Sequence, residues 1–216
     1  MGHRARWLHR RRRSGRSRIL PQKGYSSCWR KWARLPGEEG CRWSPLNTLV
    51  AGRPGVHRRG REGSRLGRHL GAVANFFRSI DLKFQIEEEK SLIHMGFSVK
   101  PGSWTAVADV KEDRGIFLFY SIASFKVPEA ARLAVAEFLT RANYGIILGN
   151  FELDLGDGEV RYKTSINVGE NGTLTADLIR PVVMANFFTM DRYLPGIMAV
   201  AFGNRPPAEA IRDIEG

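Results

Sequence analysis

Apolar and polar positions are ordered in only part of this chain. Up to Leu70 no stretch keeps a period of 3.6 or 2 for more than about a turn. From Gly71 the pattern becomes regular. Val73, Phe76, Phe77 and Ile80 fall at i, i+3, i+4 and i+7, the apolar stripe of a short amphipathic helix. Glu87, Glu88 and Glu89 read as a solvated bend. Ile93, Met95, Phe97 and Val99 then alternate with His94, Gly96 and Ser98, which predicts a half-buried strand. Lys100-Pro101-Gly102-Ser103 has Pro and Gly in turn positions. A second strand is expected from Trp104 to Val110, and Glu112-Asp113-Arg114-Gly115 reverses it. A third spans Ile116 to Ile122 and holds Phe117, Phe119 and Tyr120.

Pro128 suits the first turn of a helix, where its missing N–H is no loss. That helix carries Leu133, Val135, Phe138, Leu139 and Ala142, and Gly145 follows its end near Asn143. Phe151, Leu153 and Leu155 alternate with Glu152 and Asp154. Gly156-Asp157-Gly158 then leads into Val160, Tyr162, Thr164 and Ile166, and Asp-Gly between two alternating runs is a hairpin signal. A long helix is predicted from about Thr175 to Phe202, with Ile179, Val183, Phe187, Met190, Leu194, Ile197 and Ala201 along one face. Pro195 lies deep inside it and should kink it. Residues 204–216 read as a flexible tail. The fold class expected is α+β: a two-layer domain, 71–203, with the order α-β-β-β-α-β-β-α and an antiparallel sheet.

Charge divides the chain at the same place. Residues 1–70 hold 19 of the 34 Lys and Arg but only 3 of the 22 Asp and Glu, a formal +16, and the remainder carries −4. So basic a segment, with Ile19 its only isoleucine, cannot bury enough surface to offset its conformational entropy, so disorder is expected. Three readings fit it. Arg10, Arg11, Arg12, Arg13, Arg16 and Arg18 could neutralise phosphates, with Trp29, Trp32 and Trp43 free to stack on bases. An Arg-rich, acid-poor leader also describes an organellar targeting peptide. The composition favours the third: GC-rich DNA translated upstream of the true start or out of frame. Nucleic acid is therefore a partner only if residues 1–70 exist in the cell. No apolar run approaches the ~18 residues of a membrane span, and a cytoplasmic location is expected.

Catalytic chemistry finds few candidates. After Leu70 there is one histidine, His94, on the polar face of its strand, and no cysteine. Cys28 and Cys41 are thirteen apart, without the paired short spacing of a zinc site. No Gly-x-Ser-x-Gly elbow, His-Glu-x-x-His or phosphate-cradling glycine loop occurs. Glu152, Asp154, Asp157 and Glu159 form an acidic hairpin, read as a solvated strand face rather than a metal site. Glu152 and Arg161 stand on opposite arms of that hairpin and could pair across it. No enzyme activity, metal or cofactor is expected.

Several segments carry a family resemblance. They are Val127-Pro128-Glu129, Leu139-Thr140-Arg141-Ala142-Asn143-Tyr144-Gly145, Gly149-Asn150-Phe151-Glu152-Leu153-Asp154, Asp157-Gly158-Glu159-Val160-Arg161-Tyr162 and Met190-Asp191-Arg192-Tyr193-Leu194-Pro195-Gly196-Ile197. Together they resemble the YbjN family of bacterial proteins, described as sensory transduction regulators. The resemblance implies a fold similar to type III secretion chaperones and a tendency to form homodimers, and no established activity. The expected function is a non-enzymatic protein-binding or regulatory domain, with a protein client and a homodimer seam on the final helix. Its candidate contacts are Phe187, Met190, Tyr193, Trp104 and Tyr120. A small-ligand sensor with a pocket between sheet and helices is the weaker alternative.

Overall fold

Four helices and six strands account for nearly all the regular structure in the computed structural model, which describes residues 66–98 and 102–216. The order is α1 (Arg68–Ser79), β1 (Gln85–Glu87), β2 (Leu92–Ser98), β3 (Ser103–Lys111), β4 (Ile116–Lys126), α2 (Arg132–Asn143), β5 (Asn150–Leu153), β6 (Glu159–Asn167), α3 (Ala176–Gly203) and α4 (Pro207–Glu215). The strands form one antiparallel sheet in the order β1-β2-β3-β4-β6-β5. This is the expected α+β class, with two additions. β1 precedes a short 3₁₀ turn, Glu88–Lys90, where a plain bend was expected. Residues 204–216 are not a loose tail: α4 packs on α2 and α3, burying Ala210 and half-burying Ile211 and Ile214. Tyr193 Oη donates to Glu215 at 2.7 Å, and Arg192 donates to the Ile214 carbonyl.

The helix ends show how distant residues complete local structure. α1 starts at Arg68, ahead of the Gly71 boundary, and lacks a capping side chain of its own. Glu112, in the β3–β4 turn, accepts the N–H groups of His69 (3.1 Å) and Leu70 (2.6 Å) instead. A carboxylate there satisfies orphan donors and complements the helix dipole. At the end of α2, Asn143 does not supply a positive φ; Gly145 does, at +95°. The Asn143 amide instead reaches β5, where Oδ1 accepts the Phe151 N–H (2.7 Å) and Nδ2 donates to the Phe151 carbonyl (3.1 Å).

The core lies between one sheet face and the helices. Ile93, Met95, Phe97, Trp104, Phe117, Phe119 and Tyr162 point inward and are 5 % exposed or less. α3 is central to the helical layer, lying on β4 and β6 and touching α1, α2 and α4. It continues through Pro181 and Pro195 as one 28-residue helix, with Pro195 on the exposed side. Asn186 is fully buried on α3 and donates to the carbonyls of Phe119 (2.8 Å) and Tyr162 (3.0 Å), tying helix to sheet.

Candidate functional site

The sheet has a second face, and no described helix covers it. Side chains alternate across each strand, so the register places the outward residues in rows. One row reads His94, Val107, Tyr120, Lys163, Asn150, from β2 across to β5. The next reads Thr105, Ile122, Arg161, Glu152, and on the other side lie Leu92, Asp109, Leu118, Ser165. Val107, Leu118, Tyr120 and Ile122 are half-buried. They form an apolar centre on the inner strands β3 and β4.

Charged residues flank that centre and are largely matched. Glu152 pairs with Arg161, Nε to Oε2 at 2.7 Å, as the hairpin spacing anticipated, and also with Lys163. The Arg161 guanidinium lies 5.0 Å from the centre of the Tyr120 ring, a cation–π distance. Burial works against the Glu152 charge, but its bonds to Lys163 and Arg161 outweigh that and hold the carboxyl below its ordinary value of 4.5. A depressed carboxylate stabilises the folded state above the unfolded-state pKa, and that contribution is lost as pH falls through the folded value. Glu152→Gln is therefore expected to lower stability near pH 7 by about 1 kcal/mol or less, since all three side chains are partly solvated. The difference from the parent should shrink below about pH 4.5. Thermal midpoints of both proteins from pH 7 to pH 3 check this, and a constant difference would contradict it.

Four of the five residues expected at a partner surface belong to the chain's own core. Trp104 is 1 % exposed and stacks on Phe97 at 5.8 Å. Phe187 is 5 % exposed, between the rings of Phe97 and Phe119. Met190 is fully buried, and Tyr193 packs against Phe138 and Phe151. Burial pushes the Tyr193 hydroxyl well above its ordinary value, and Glu215 adds to the shift. As the centre of the helical layer, α3 does not offer these residues as a seam. Tyr120 alone of the five faces outward, and it sits in the apolar centre. Arg10, Arg11, Arg12, Arg13, Arg16 and Arg18 lie outside the described residues, as do Cys28 and Cys41.

Leu118 and Ile122 were not singled out in the sequence, although their signal was there: β4 is apolar at every position from Ile116 to Tyr120. A second exposed apolar group lies in the α2–β5 loop, where Tyr144 and Ile147 are each more than nine-tenths exposed. The acidic hairpin already has its cation, since Lys126 Nζ bonds Asp157 (2.8 Å) and Glu159 (2.9 Å). Among the described residues, no three His, Cys, Asp or Glu side chains gather as metal ligands, and no helix is long and apolar enough to cross a membrane.

These features define an α+β domain whose candidate site is the outward sheet surface. The model of the YbjN family, described as "Putative bacterial sensory transduction regulator", matches residues 69–197, and the chain belongs to that family. Among solved structures it is similar to one titled "Crystal structure of YbjN, a putative transcription regulator from E. coli". The identity is 18 %, the TM-score is 0.46, and the match covers 62 % of this chain and 90 % of that one. No curated protein matches the sequence.

Proposed function

We propose that this domain is a non-enzymatic regulatory module of the cytoplasm that acts by binding protein, and that it works as a homodimer. The observation that carries the reading is the outward apolar centre of the sheet, Val107, Leu118, Tyr120 and Ile122, which no described element covers. Apolar patches of this kind mark interaction sites in soluble proteins. The description of the family as a regulator agrees with a binding role. Light scattering on the purified full chain is expected to give twice the 24.3 kDa chain mass at micromolar concentration. A mass of one chain throughout the concentration range would refute the homodimer.

A second reading rests on the formal +16 of residues 1–70. If that segment is present in the cell, it would bind nucleic acid through phosphate contacts. Such binding must weaken steeply with salt and disappear when residues 1–65 are removed.

A further inference from the structure

We infer that the outward sheet face is the dimer seam, with a second copy of this chain lying on β4. The inference rests on the homodimer proposed above and assigns it a surface. An antiparallel sheet with one wet face reads apolar inward and polar outward, whereas strands covered on both faces read apolar throughout. β4 is close to the second kind: it is apolar from Ile116 to Tyr120 and again at Ile122 and Ala123, with the buried Ser121 between. Phe117, Phe119 and Ala123 point into the core, and Ile116, Leu118, Tyr120 and Ile122 point away from it. The described residues cover only the first of these sets.

The surroundings of the stripe select a second copy over other occupants. β4 is an inner strand, so the apolar residues are central and the charges lie on either side, the layout of an interface core and its rim. Those charges are matched within the chain: Glu152 with Arg161 and Lys163, and Asp109 with Lys111 at 2.9 Å. A covering partner therefore need supply little countercharge, and neither a polyanion nor a strongly charged peptide is complementary to the face. Both signs occur on it, as an isologous interface requires. A two-fold axis running along β4 would set β3 of one copy over β6 of the other. The flank with Asp109 would then face the flank with Arg161 and Lys163.

The size is also suitable. Six strands at about 4.8 Å span about 29 Å, and the nine-residue β3 and β6 are about 30 Å long. Allowing for the short edge strands, the plan area is about 600–800 Å², against the ~800 Å² per partner of a standard interface. Two such sheets would stack about 10 Å apart, as in a sandwich.

The test uses the full chain with Leu118→Glu and Ile122→Glu combined, read by light scattering and far-UV circular dichroism. The expected result is a folded monomer, with the dimer dissociation constant raised at least about 100-fold, because two carboxylates would enter a dry seam. A second variant avoids dependence on folding. Tyr120→Cys, in a Cys28→Ser, Cys41→Ser background, should give a covalent dimer with a short bis-maleimide, because Tyr120 would face its own copy at the axis across sheets about 10 Å apart, too far for a direct disulfide. If the parent is dimeric but the double variant is a folded dimer, or Tyr120→Cys fails to cross-link, the assigned face is wrong while the homodimer stands. Loss of the dimer in Ile147→Glu but not in the double variant would move the seam to the α2–β5 loop. A monomeric parent overturns both this inference and the function proposed above.

Discussion

Phe187→Asp is expected to unfold the domain rather than release folded monomers. The ring is 5 % exposed, with the Phe97 ring at 4.6 Å and the Phe119 ring at 5.2 Å. Removing a buried phenyl costs about 3–5 kcal/mol. An unpaired carboxylate in its place adds several more, or shifts its pKa until it is neutral and still lacks a partner. The total stability of such a domain is about 5–15 kcal/mol, so the substitution alone can consume it. Loss of the cooperative thermal transition by circular dichroism is the expected result. Phe187→Leu, which keeps most of the apolar volume, should retain the transition at a lower midpoint. A folded Phe187→Asp protein would mean that α3 is not the centre of the helical layer.

Gly158→Ala is the second large effect. Gly158 closes the β5–β6 turn with φ +82°, a region that L side chains rarely adopt. A Cβ there would lie 2.3 Å from the Val127 carbonyl oxygen and 2.9 Å from the Val127 nitrogen. These are backbone atoms, already fixed by the hydrogen bond from Val127 N–H to the Gly158 carbonyl at 2.8 Å. The strained conformation costs about 1–3 kcal/mol, and the clash must be relieved by breaking that bond or moving the strand. A total loss of about 3 kcal/mol is expected. In urea the midpoint should fall with the slope unchanged. An unchanged midpoint would show that the turn adjusts freely.

What could be read from the sequence follows from how each signal is encoded. β2 to β6 and the first three helices repeat an apolar pattern for at least two periods, which makes them visible to a periodicity argument. β1 is Gln85-Ile86-Glu87, too short to alternate, and it exists because its backbone pairs with β2. α4 had a legible sign in Pro207, which fits the first turn of a helix, and in Ala210, Ile211 and Ile214. The pair Pro206-Pro207 reads equally well as the end of regular structure, which is why the sequence alone predicts a tail there.

The candidate site was harder. The stripe Phe187, Met190 and Leu194 shows that α3 has an apolar face but cannot say what that face meets. The wider composition of α3 was the better guide. Val182, Val183, Phe187, Phe188 and Met190 surround much of the helix, and a helix apolar on most sides is a buried one. Trp104, Phe117 and Phe119 fall on the inward parity of their strands, and Tyr120 on the outward. That parity is fixed once one inward residue is known, which the sequence alone did not provide. The Glu152–Arg161 pair was legible because a short hairpin fixes its own register. Lys163 joins it diagonally, one step beyond what opposite positions reveal.

Asn143 has a bearing on how large any assembly can grow. Phe151 sits on β5, the last strand of the sheet, where backbone groups are open to another strand. The Asn143 amide meets both of them, so a side chain occupies the place of a seventh strand at that residue. An incoming chain could pair there only after displacing it. At this border of the sheet the contact therefore works against sideways strand addition into ribbons or fibrils.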